Sequence, residues 1–186
     1  MRRIVLFLAL SLILGAVSID GAKAQRVAVK TNLVGLSTLS ANAALDMAVS
    51  RRWSLEFGAS YNSWGGSDKL QELDEKVDWM QKRHVTFDAN AKYWFARPFN
   101  GHALLAGIKL GTYNYDLFGM RFYGDAATVG GGYSYTYVIS PRLNIEGAIS
   151  AGFGLASEIT ENGVAPTPKF MPMIHKVGLS IVYVIK

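Results

Sequence analysis

From Arg26 onward the chain divides into eight stretches in which apolar and polar residues alternate, and the connections between them are short and long by turns. A period of two belongs to a strand whose two faces meet different surroundings. When connection length also alternates, the simplest arrangement is an antiparallel meander. Every short turn then lies at one end and every long loop at the other. With eight strands, the pattern leads to a closed antiparallel eight-stranded transmembrane β-barrel, all-β, with both termini on the short-turn side.

The expected strands cover about residues 26–33, 41–49, 53–62, 83–95, 102–113, 122–139, 143–156 and 173–185. The third is the cleanest: Trp53, Leu55, Phe57, Ala59 and Tyr61 alternate with Ser54, Glu56, Gly58, Ser60 and Asn62. Tight connections fall at 50–52, 97–101 and 140–142, and longer ones at 34–40, 63–82, 114–120 and 157–171. At 97–101, Pro98 presets one backbone angle and Asn100-Gly101 tolerates a positive φ.

Ahead of the strands, Arg2 and Arg3 precede an apolar run from Ile4 to Ile19, followed by the small-x-small sequence Ala22-Lys23-Ala24. A basic start, an apolar stretch shorter than the ~20 residues that span a bilayer, and such a site describe a secretory signal peptide. The expected organisation is therefore a signal peptide at 1–24 and a barrel domain at 25–186. Without that leader the net charge is about +3, and no Lys/Arg cluster suited to nucleic acid remains. The absence of cysteine excludes disulfide staples, thiolate metal sites and a cysteine nucleophile. Nine Tyr, nine Phe and four Trp suit aromatic belts at the two membrane interfaces, and Trp53, Tyr61, Trp64, Tyr93, Trp94, Tyr135, Tyr137 and Tyr183 are the expected interface aromatics.

A soluble ligand barrel would keep its apolar residues inside and its charges outside. Here the small, polar and charged residues share one face. Placed inward, that face carries Lys30, Asp46, Glu56, Asp88, Lys92, Lys109, Glu146 and Lys176, four of each sign. An eight-stranded barrel is only wide enough for side chains to fill, and an unpaired buried charge costs several kcal/mol. These residues are therefore expected to form a neutral ion-paired plug rather than a channel lining. Hairpin geometry pairs Glu56 with Lys92 and sets Asp88 opposite Lys109.

No catalytic set is expected. His84 and His175 read as side chains near the outer ends of strands four and eight, across the barrel from each other, and His102 falls at the opposite end. Nor do three scattered histidines make a metal site, and no cofactor is implied. The expected location is the outer membrane, with membrane lipid as the principal partner. In the long connection 63–82, Leu70, Leu73, Val77 and Met80 recur at helical spacing beside Asp68, Glu72, Asp74, Glu75 and Asp78, which fits a short amphipathic cover or an extension of strands three and four, and, as the sharper reading, a contact segment for an envelope protein.

Several words of the chain occur in order in a known family: Ala28-Val29-Lys30-Thr31-Asn32-Leu33, Arg52-Trp53-Ser54-Leu55, Tyr93-Trp94-Phe95, Pro98-Phe99-Asn100-Gly101-His102 and Leu179-Ser180-Ile181-Val182-Tyr183. On these the chain resembles the domain-of-unknown-function family 3575, exported β-barrel proteins typical of Bacteroidota. The resemblance implies an outer-membrane barrel, in some cases encoded beside surface-fimbria or envelope components, and no established reaction. The family carries Pro and an acidic residue where Ala89 and Asn90 stand, which implies that Asp88 supplies the inward negative charge on strand four.

Overall fold

The structure is a computed structural model that describes residues 26–62, 84–117, 120–158 and 169–185. The expected leader, 1–24, and the connection 63–82 expected to meet a partner lie outside the described residues. Eight strands form the wall: β1 (Val27–Asn32), β2 (Ala41–Ala48), β3 (Trp53–Asn62), β4 (His84–Trp94), β5 (Gly101–Leu117), β6 (Met120–Val138), β7 (Leu143–Glu158) and β8 (Lys169–Ile185). Each pairs antiparallel with its neighbours in chain order. β1 closes on β8 from Val27↔Ile185 to Asn32↔Ser180, so the sheet is a closed barrel.

Three differences from the sequence reading have physical causes. The connection after β1 opens with a short helix, α1 (Leu33–Ser37), because the Asn32 side chain accepts a hydrogen bond from the Val34 amide at 3.0 Å and caps it. β5 and β6 continue past the expected loop at 114–120, pairing without a break from Gly101↔Thr136 to Leu117↔Met120. β8 likewise starts at Lys169 rather than near residue 173. In both places turn-prone residues continue a ladder that needs only backbone donors and acceptors.

The two short serine turns share one construction. Ser50 Oγ accepts from the amides of Arg52 (3.4 Å) and Trp53 (3.2 Å), and Ser140 Oγ accepts from those of Arg142 (3.4 Å) and Leu143 (3.0 Å). The middle turn works differently. Positive φ falls on Phe99 (65°) and Gly101 (77°), not on Asn100. A bulky residue with positive φ is strained. At Phe99 the compensation is burial: the ring turns into the barrel and packs edge-on against Trp94, with ring centres 6.0 Å apart. Its carbonyl also accepts from Asn144 Nδ2 at 3.0 Å.

Inward and outward faces follow the alternation. Along β4 the inward side chains form a ladder from the short-turn end: Trp94, Lys92, Asn90, Asp88, Thr86, His84. The floor of the lumen is apolar, made of Trp94, Phe99, Ala28, Ala103, Val182 and Val184. Trp94 thus corrects one expectation. It was placed among the interface aromatics, but it is 0 % exposed and donates its indole N–H to Ser54 Oγ at 2.9 Å. Its spacing of two from Lys92 puts it on the inner face, and only its residue type suggested a belt. Trp53, Tyr61, Tyr135, Tyr137 and Tyr183 are exposed on the outer wall and Tyr93 is half-buried beside Trp53, whereas Trp64 lies outside the described residues.

Candidate functional site

Directly above the apolar floor, β2 and β3 place Asp46 and Glu56 opposite each other in register, both inward. Two carboxylates facing each other are unfavourable. The arrangement persists because cations reach between them from three other strands. Lys30 on β1 donates to Asp46, to Glu56 Oε2 at 2.9 Å and to Glu146 Oε2 on β7 at 2.7 Å. Lys92 on β4 lies 2.6 Å from Glu56 Oε2, 2.5 Å from Glu146 Oε1 and 3.4 Å from Asp46 Oδ2. Lys176 on β8 donates to the other oxygen of Glu56. Thr136 adds a hydroxyl donor to Glu146 Oε2 at 3.3 Å.

Three carboxylates and three ammonium groups therefore meet in one knot, and all but Lys176 are buried. The three acids offer oxygens within 4.8 Å of one another, a spacing that could hold a metal ion. Lys30 and Lys92 already stand in that position, so a metal would have to displace two buried amines. As chemistry, the knot neutralises charge. Every acid touches at least two cations, and no substrate-sized opening separates them.

The expected pairs come out with different closeness. Glu56 and Lys92 touch. Asp88 and Lys109 stand opposite each other in register, yet the nearer partners of Asp88 are Asn90 Nδ2, donating at 2.6 Å, and Lys176 Nζ at 3.8 Å. Of the eight expected lumen charges, six form the knot, and Asp88 joins it at its edge through Lys176. Lys109 makes no ion pair among the described residues.

Sequence reasoning missed the next layer. His175 was read as a side chain near the outer rim, but it is buried in the lumen. A β-bulge causes this: on β7 the partners of Ser150 and Ala151 are Lys176 and Ile174, so the residue between them has no opposite number. Two successive side chains, His175 and Lys176, consequently point inward. His175 Nε2 lies 3.0 Å from Asn90 Oδ1 on β4, and Nδ1 lies 3.0 Å from Thr128 Oγ1 on β6, so the ring spans the lumen. Because Asn90 Nδ2 donates to Asp88, its Oδ1 is the acceptor; the bonding pattern assigns the ring proton to Nε2. Gly130 makes room, since a Cβ there would sit 2.6 Å from His175 Cβ. The signal was readable: Ile174-His175-Lys176-Val177 breaks the period of two with a polar pair between apolar residues.

His84 is also buried, with Nε2 3.1 Å from Ser60 Oγ. That resembles the first two members of a nucleophilic triad; Nδ1 has no hydrogen-bond partner among the described residues, and the acids of the adjoining segment, Asp68 among them, lie outside those residues.

The knot can be tested by removing one cation. Lys92→Met should destabilise the barrel by about 3–5 kcal/mol in urea unfolding, because it leaves buried carboxylates undercompensated. Lys92→Met combined with Glu146→Gln should cost less than the two single changes added together, with a coupling above about 1 kcal/mol.

Comparison with known proteins gives one match. Residues 5–185 match the profile of a family described as "Protein of unknown function (DUF3575)". No curated protein and no solved structure matches the chain. The match spans nearly the whole chain, and the protein accordingly belongs to the DUF3575 family.

Proposed function

We propose that this protein is a non-enzymatic barrel of the outer membrane, exported by its leader, with both termini in the periplasm and a lumen closed by ion pairs. On this reading it serves the cell envelope as a structural or interaction protein. The observation that carries it is the inversion of the usual layering. The outer wall is a continuous apolar surface that includes Ile149 (64 % exposed), Val129 (61 %) and Phe87 (59 %), while the ionised groups are buried inside. In water such a wall would drive association; in lipid it is the favourable surface. Where the ladders run around the closed barrel, backbone donors and acceptors are taken up by neighbouring strands, as hydrocarbon requires.

A closed lumen fits the same facts. The floor of Trp94 and Phe99 seals the short-turn end, and the knot fills the section above it. The lumen charges, four of each sign, favour mutual neutralisation over selection of a passing ion. The segment 63–82, acidic and apolar by turns, is the proposed contact for an envelope or fimbrial protein.

Three outcomes test this reading. Ile149→Arg should cost about 2–4 kcal/mol in vesicle-refolding titrations if lipid covers that position near the midplane. In a barrel bathed by water, so exposed a substitution would be nearly neutral. Planar bilayers containing the protein should show no steady single-channel conductance; a stable conducting state would replace the closed-lumen reading with a narrow pore. Deleting residues 66–81 should abolish cross-linking to the envelope partner in intact cells while heat-modifiable gel migration persists, and retained cross-links would remove the segment from that role.

A further inference from the structure

In the sequence, charge is distributed unequally between the segments that join the strands at one end and those that join them at the other. The short-turn segments 49–52, 95–101 and 139–142 contain Arg51, Arg52, Arg97 and Arg142 and no acidic residue. Arg26, entering β1 at the same end, makes a fifth, and all five are exposed. The segments at the other end, 63–83, 116–125 and 157–169, contain nine acidic and six basic residues.

The arginines are also held in place. The carbonyls of Arg26, Arg52 and Arg142 accept from the amides of Ala48 (2.9 Å), Trp94 (2.7 Å) and Val184 (2.8 Å), which ties each backbone to the next strand. The repeated serine turn puts Arg52 and Arg142 at the same point of two different hairpins. Arg52 Nη1 further donates to Tyr93 Oη at 3.1 Å, and Tyr93 packs edge-on against Trp53 with centres 5.2 Å apart. At least one guanidinium is thus fixed where the apolar wall ends.

We propose that this short-turn rim is a docking surface for anionic phospholipid headgroups. Because the arginines come from three hairpins and the start of β1, they form a ring around the perimeter rather than one patch. A ring bordering an apolar wall faces the plane of a lipid leaflet, whereas a protein partner would ordinarily meet a patch with an apolar centre. Guanidinium is the side chain that matches phosphate oxygens with paired N–H donors, and the nearby aromatic rings suit the headgroup boundary. The proposal rests on the membrane reading above and adds the lipid class and the leaflet side.

The test uses the full barrel with Trp64→Phe and Trp79→Phe, leaving exposed Trp53 at the rim and buried Trp94 as the indoles. It is refolded into vesicles of equal phosphatidylglycerol and phosphatidylcholine, with bromine on the acyl chains of one lipid or of the other. Brominated phosphatidylglycerol should quench more strongly, reflecting a local enrichment of about fivefold, the factor expected for one basic side chain at the surface. Replacing the whole ring, Arg26→Gln/Arg51→Gln/Arg52→Gln/Arg97→Gln/Arg142→Gln, should make the two arms equal. Equal arms in the unaltered rim would overturn the headgroup proposal and leave the membrane reading standing. Quenching by neither lipid would overturn both, and a preference that survives replacement of all five would take the role away from these arginines.

Discussion

Two ammonium groups held among three carboxylates, with a third ammonium on the far side of Glu56, organise the inside of this barrel. The contact set spans the sheet: Lys30 comes from β1, Asp46 from β2, Glu56 from β3, Lys92 from β4, Glu146 from β7 and Lys176 from β8. No hairpin contains it. Asp46 opposite Glu56 is a repulsive pair by itself, and it becomes tolerable only when closure of β1 on β8 and the approach of β4 and β7 bring the amines in. Closure and charge neutralisation therefore depend on each other.

A buried ion pair is weak evidence for net stability, because desolvation offsets much of the attraction. Its clearer consequence here is register. Side chains alternate faces, so a one-residue slip of any contributing strand would carry an ionised group to the apolar outer wall and an apolar group into the knot. The apolar floor beneath and the Asn90–His175–Thr128 bridge above impose the same register from either side. Within the knot the charged groups answer one another, whereas Lys109 has no ion pair and His84 Nδ1 no hydrogen bond among the described residues.

Much of this was legible in the chain. Period-two alternation located the eight strands and sorted the inner face from the outer, and charge balance on one face foretold an ion-paired interior. What escaped had three causes. Strand ends depend on backbone ladders, so β5, β6 and β8 run further than side-chain polarity suggests. Among the described residues the alternation is also broken by the bulge that turns His175 inward, and a residue-type argument displaced Trp94 from the face its own parity assigns.

Strand number, the facing of the strands away from the bulge and the balance of lumen charges were determined by the sequence alone, because each follows from local periodicity and composition. Only the tertiary structure decided which charges touch. Partners such as Lys30 and Glu146 are separated by more than a hundred residues and meet through closure. The same holds for Phe99, whose positive φ no local rule favours and whose burial under Trp94 makes up for it. Local pattern chooses which way a side chain points; what it meets is settled by how the strands pair around the whole barrel.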